Sequence, residues 1–167
     1  MKRRMAGIAL LLMASVELYA ADSAVQVRLA ISKAGPRAVE SLTEQRIVRD
    51  YKFAWTSLSQ ALEVNASDPL DGPFVGAAKQ WLAQSVESQR QTNLSSRRSE
   101  QNHKLEAVFY APEGDVIELH DTVDYQLQIL DGGKQIHDEH VTEHYVVLMT
   151  PGADRWVVRQ LQAVAQF

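Results

Sequence analysis

The feature that most limits what this chain can become is "VDYQLQILDGGKQIHDEHVTEHY", residues 123–145, where two runs of strand-forming residues meet at Gly132 and Gly133. Paired glycines accept the positive φ angles of a tight hairpin turn without the Cβ clash other residues meet. The turn also acts as a ruler. Pairing Asp131 with Lys134 sets Ile129 opposite Ile136, Tyr125 opposite His140, Asp121 opposite His144 and Ile117 opposite Leu148. That face carries most of the aliphatics and is expected to point inward, leaving His120 and His137 outward.

The rest of the C-terminal half reads the same way. "HKLEAVFYA", "DVIELHDTVDYQLQIL", "KQIHDEHVTEHYVVLMT" and "RWVVRQLQAV" alternate as strands, separated by "PEG", "DGG" and "PGAD". Short turns between consecutive strands predict an antiparallel meander. A three-residue turn closed by Gly114 brings Leu105, Ala107 and Phe109 to the inner face, with Leu105 beside Asp121. In the last strand either Trp156 with Val158 or Val157 with Leu161 faces inward.

Upstream, the period changes to that of helices. Ser41 and Glu44 match a capping box, and Ile47, Val48, Tyr51, Ala54, Trp55, Leu58, Ala61 and Leu62 form one apolar stripe. "NASDPLDGP", residues 65–73, ends that helix, and Phe74, Ala77, Ala78, Trp81, Leu82 and Val86 mark a second over residues 74–91. "NLSSRRSEQN", residues 93–102, lacks periodicity and is expected to be a loop with Arg97 and Arg98 in solvent. The predicted fold class is α+β: N-terminal helices packed on a curved four-stranded antiparallel sheet, since a bare sheet leaves its apolar face wet.

The N-terminal end adds a compartment. Lys2, Arg3 and Arg4 precede a 12-residue apolar run, Met5 to Val16, which is too short to span a membrane and reads as a signal peptide cleaved after Ala20. The expected organisation is a signal peptide over residues 1–20, a flexible leader over 21–36 and one α+β domain over 37–167, in the bacterial periplasm or secreted. Loss of residues 1–20 leaves 14 Lys plus Arg against 20 Asp plus Glu, a net charge of −6. An acidic chain without a basic stripe argues against nucleic acid and anionic membranes as partners. The chain has no cysteine, so an exported domain of this kind must be held by its core.

The helix–helix–meander order, with "DRWVVRQLQ" as a final strand after a tight turn, resembles the nuclear-transport-factor-2-like, or cystatin-like cone, superfamily over residues 37–165. It also looks like the domain of plastid division proteins, and "HKLEAVFYAPEG" with "IELHDT" looks like exported bacterial domains of unassigned role. The resemblance implies helices wrapped on a curved sheet with a pocket between them. Enzymes of that superfamily, such as SnoaL-like cyclases, ketosteroid isomerases and scytalone dehydratase, place Asp, His and Tyr on the inner sheet face. Asp121, Tyr125, His140 and His144 match those residue types here.

Two functional readings follow. The first is a non-enzymatic binding or assembly domain for a small apolar ligand or a protein partner, with Tyr125, His140, Trp55 and Trp81 as ligand-binding residues. It could form a homodimer through Val141, Tyr145 and Val147 on the convex face. The second is a small lyase or isomerase in which Asp121 orients His144 as the acid or base. "HDEHVTEH" is expected to hold no metal, because on a strand His137 and His140 point to opposite faces and His140 lies about 13 Å from His144. No cofactor motif is present.

Overall fold

The computed structural model describes residues 25–167, so the expected signal peptide lies outside the described residues. The elements are β1 (Gln26–Ala30), α1 (Ser41–Val64), a 3-10 turn (Asp68–Asp71), α2 (Gly76–Gln91), β2 (Leu94–Tyr110), β3 (Ile117–Asp131), β4 (Lys134–Pro151) and β5 (Trp156–Val164). The strands lie in sequence order in one sheet. Strands β2 to β5 pair antiparallel, while β1 runs parallel to β2. The fold is α+β with two helices, but the sheet is five-stranded and mixed, not four-stranded and antiparallel.

The fifth strand comes from the stretch expected to be a flexible leader. Val27 and Leu29 pack on the core while Gln26 and Arg28 face solvent, and the strand pairs from Gln26 with Asn102 to Ala30 with Glu106. Parallel neighbours need a long crossover, and α1 with α2 supplies it.

Ser41 is the first residue of α1, and Glu40 is its N-cap without a side-chain cap bond, so no capping box forms. The Glu40 carboxylate is held instead by the Arg37 guanidinium. Along α1 the predicted stripe is buried from Ile47 to Leu62 except at Val48, which is half-buried, with Asp50 on the same side. The Asp50 carboxylate accepts the Trp156 backbone N–H at 2.8 Å, which pins the helix to the start of β5. Helix α2 starts two residues later than its apolar pattern predicts, because Pro73, Phe74 and Val75 run beside β5. Val158 N–H donates to Pro73 O at 2.9 Å, and Val75 N–H donates to Val158 O at 3.0 Å. This covers part of an otherwise open sheet edge.

Residues 94–102 are not a loop; they are the first half of β2, paired with β3 from Leu94–Asp131 to Ser99–Gln126. Their polar composition hides the alternation, and a register shift between Ser99 and Asn102, with Glu100 at φ 55°, breaks it. Beyond that shift Leu105 faces Asp121, as predicted, and Ala107 faces Leu119. A second shift turns Phe109 outward and puts Tyr110 on the inner face.

The β3–β4 hairpin departs from its predicted register for one reason. Asp131 pairs with Lys134 and Leu130 with Gln135, but Ile129 then pairs with His137, leaving Ile136 as a bulge that is 56 % exposed. One extra residue inverts every later pairing. Asp121 therefore faces Tyr145, Tyr125 faces Val141, and His144 faces Thr122. A similar shift in β5, at Arg159, resolves the last strand: Trp156, Val158 and Leu161 all lie on the inner face, and Val157 on the other.

Candidate functional site

The inner face carries a polar cluster roofed by α1. Asp121 of β3 and His103 of β2 are both 0 % exposed, and His103 Nδ1 lies 2.7 Å from Asp121 Oδ2. Tyr51 of α1 donates its hydroxyl to the same oxygen at 2.7 Å. Trp55 closes the cluster, its ring centroid 4.5 Å from that of His103, while the Tyr51 ring meets His103 edge-on at 5.6 Å. Burial, and then the neighbouring Asp121, raises the Tyr51 pKa well above the ordinary phenol value. The hydroxyl is thus a permanent donor. Asp121 Oδ1 and His103 Nε2 are enclosed without a protein partner.

Next along the groove lies a second, more open set. Glu143 of β4 accepts the Tyr125 hydroxyl at 2.9 Å and the Tyr145 hydroxyl at 2.5 Å on one oxygen, Oε2. The Arg98 guanidinium of β2 lies 4.8 Å above the Tyr125 ring centroid and 5.8 Å from that of Trp55. Burial pushes the Tyr125 pKa up to about 12 and Glu143 adds to it, with Arg98 opposing. Tyr145 is raised further, again chiefly by burial. Arg98 Nε and Nη1 are enclosed and have no hydrogen-bond acceptor.

Above these residues a cavity of about 150 Å3 opens between α1, α2 and the sheet. Leu58, Leu62, Leu82, Leu161 and Ala163 form its apolar walls, Trp81 and Ser85 also line it, and Arg98, Glu143 and Tyr145 supply its charge and hydrogen bonds. The base of the helix pair is fixed by Gln89. Its amide donates to Leu62 O at 2.6 Å and to Asn65 Oδ1 at 2.5 Å, and its Oε1 accepts the Ser96 hydroxyl at 2.6 Å.

The residues named from sequence are thus divided. Asp121, Tyr125 and Trp55 come together beneath the helices; Trp81, 41 % exposed, stands at the cavity mouth. His144 is not Asp121's partner: it lies on the opposite face, its Nδ1 3.1 Å from the Thr122 hydroxyl and its ring edge-on to Phe167 at 5.3 Å. His140 pairs with Gln126 on that outer face and is exposed. The Ile136 bulge explains both corrections. It also removes the convex surface proposed for dimerisation, because Tyr145 and Val147 are inward and buried. Sequence reasoning missed His103, Arg98 and Glu143. His103 was legible, standing two residues before the correctly placed Leu105; Arg98 lay within the stretch read as a loop. Arg98 is half-buried rather than solvated, whereas Arg97 pairs with Glu63 at 2.8 Å on the surface.

Among the described residues no group of three or more His, Asp or Glu side chains converges to hold a metal ion, and no helix is long and apolar enough to cross a membrane. No family model and no curated protein matches the chain. Solved structures do. The intermembrane space region of the chloroplast protein ARC6 superposes with a TM-score of 0.59 at 12 % identity, covering 78 % of this chain and all of that one. The chain is also similar to a de novo β-sheet design (TM-score 0.39, 13 % identity, 72 % of this chain and 88 % of the design). A third match is a scytalone dehydratase homologue from Novosphingobium aromaticivorans (TM-score 0.42, 12 % identity, 70 % of this chain and 83 % of that one). At these identities only the first likeness carries weight, and it concerns the fold alone.

Proposed function

We propose that this protein is an exported, non-enzymatic binding domain of the nuclear-transport-factor-2-like cone type, whose ligand site is the cavity between α1, α2 and the sheet. One observation carries the reading: the groove divides into a sealed acid–imidazole pair and an open, leucine-lined cavity. Chemistry needs its acid or base within hydrogen-bond reach of a substrate. Asp121 and His103 are both fully enclosed under Tyr51 and Trp55 and do not line the cavity. The cavity supplies what binding needs, an apolar lining with a few placed polar groups. Its volume, about 150 Å3, is below the roughly 300–1,000 Å3 of drug-sized ligand sites and matches that of engineered cavities that take up benzene. A benzene-sized group suits its apolar lining, with a polar head toward Arg98, Glu143 and Tyr145.

Export rests on residues 1–20. The corresponding expectation is that protein recovered from the bacterial periplasm begins at Ala21; an intact Met1 by mass spectrometry contradicts it. Native mass spectrometry of the same material tests the binding reading. It should show a small noncovalent adduct that Leu82→Trp, which fills the cavity, removes. An adduct unaffected by Leu82→Trp, or a bare protein that takes up no benzene-sized additive, overturns the assignment.

A further inference from the structure

Resting on that binding reading, we infer that the cavity selects small carboxylic acids, with the apolar group among the leucines and the carboxylate on Arg98. The cavity wall contains one cation and one anion, and their states differ. Glu143 is already satisfied at Oε2 by two hydroxyl donors, at 2.9 and 2.5 Å. Burial raises the pKa of both tyrosines, so both remain donors at neutral pH. Arg98 is always charged and carries five N–H donors. Among the described residues it has no acceptor, and its Nε and Nη1 are enclosed. A buried donor without a partner is costly, more so on a charged group.

It packs over the Tyr125 ring, 4.8 Å from the centroid, so the guanidinium is held while still lining the cavity. A carboxylate is the group that suits a held guanidinium, because an N–H···O bond between the two is charge-assisted and roughly twice as strong as a neutral one. An ammonium would meet Glu143 with one of its two oxygens, Oε2, already taken by two tyrosine hydroxyls, and would face the Arg98 charge. A neutral head would leave Arg98 as it is. The cavity volume limits the rest of the ligand to one ring or a short chain.

Isothermal calorimetry with phenylacetate, 2-phenylethanol and phenethylamine tests the inference, since the three share a ring and differ in the head group. Phenylacetate should bind at least about tenfold more tightly than the alcohol, the gain expected of a charge-assisted pair. In Arg98→Met that difference should vanish while the alcohol still binds; Arg98→Lys should keep a reduced preference. Circular dichroism confirms that each variant is folded, and if Arg98→Met does not fold, the head-group ranking in the unsubstituted protein decides. Equal binding of acid and alcohol, or tightest binding of the amine, overturns carboxylate selection and leaves the cavity reading intact. Binding of none of the three overturns both.

Discussion

Asp121 shows at the scale of single residues why placement matters more than residue type. An unpaired polar group in an apolar interior costs roughly 2–7 kcal/mol, and here one carboxylate oxygen takes both Tyr51 and His103. Asp121→Leu should therefore destabilise by about 2–6 kcal/mol, because it leaves the Tyr51 hydroxyl and His103 Nδ1 buried without a partner at roughly 1–3 kcal/mol each. His144→Ala, on the outer face, should change stability by no more than about 0.5 kcal/mol. Urea denaturation distinguishes the two, and equal effects would restore the rejected Asp121–His144 pair. The tyrosines give a pH test. Tyr51, Tyr125 and Tyr145 all have folded pKa values above the ordinary phenol value of 10.0, Tyr125 at about 12. A raised folded pKa stabilises fully below the unfolded value and is lost as pH rises through the folded one. These groups should thus contribute undiminished stability below pH 10 and lose it progressively above. The share of the tyrosinate absorbance at 295 nm that these three residues contribute, read as the difference from Tyr→Phe variants, should rise with alkaline unfolding and not before it.

Elements were legible where hydrophobic period and turn chemistry agreed. Helix α1 followed its stripe, and β3 and β4 met at Gly132 and Gly133, which adopt φ of 53° and 84°. What failed was parity. The Ile136 bulge leaves no composition signal, since an isoleucine in alternation looks like any inward strand residue, yet it inverts the face of everything from His137 onward. The same limit hid β1, whose five residues carry too short an alternation to stand out, and the start of β2, whose serines and arginines mask a strand that neighbouring β3 enforces by backbone pairing. Deleting Ile136 should therefore leave Ile129 opposite His137 in an unbroken ladder, with Tyr145 still inward and His144 still outward, and the variant should still unfold cooperatively. Ile136→Ala should change little, because the side chain is 56 % exposed. Chemical denaturation of the two variants checks this, and a deletion variant that no longer unfolds cooperatively would contradict the bulge.

For the molecule as a whole, the sequence pointed to the class of site and misassigned its parts. The expectation of a pocket between helices and sheet came from element order. The polar residues on the inner face depend on register shifts that element order does not encode. The resulting groove has a closed end, where Tyr51, Asp121 and His103 tie α1 to the sheet, and an open end, where the leucines of α1, α2 and β5 leave room for an occupant. The central claim is that this open end is where the protein binds. Methyl NMR during a titration with 2-phenylethanol tests it most directly. Saturable shifts should appear at Leu58, Leu62, Leu82 and Leu161, with Val146 and Leu148 on the outer face unchanged. Shifts confined to Val146 and Leu148, or none at the four cavity leucines, would contradict the account.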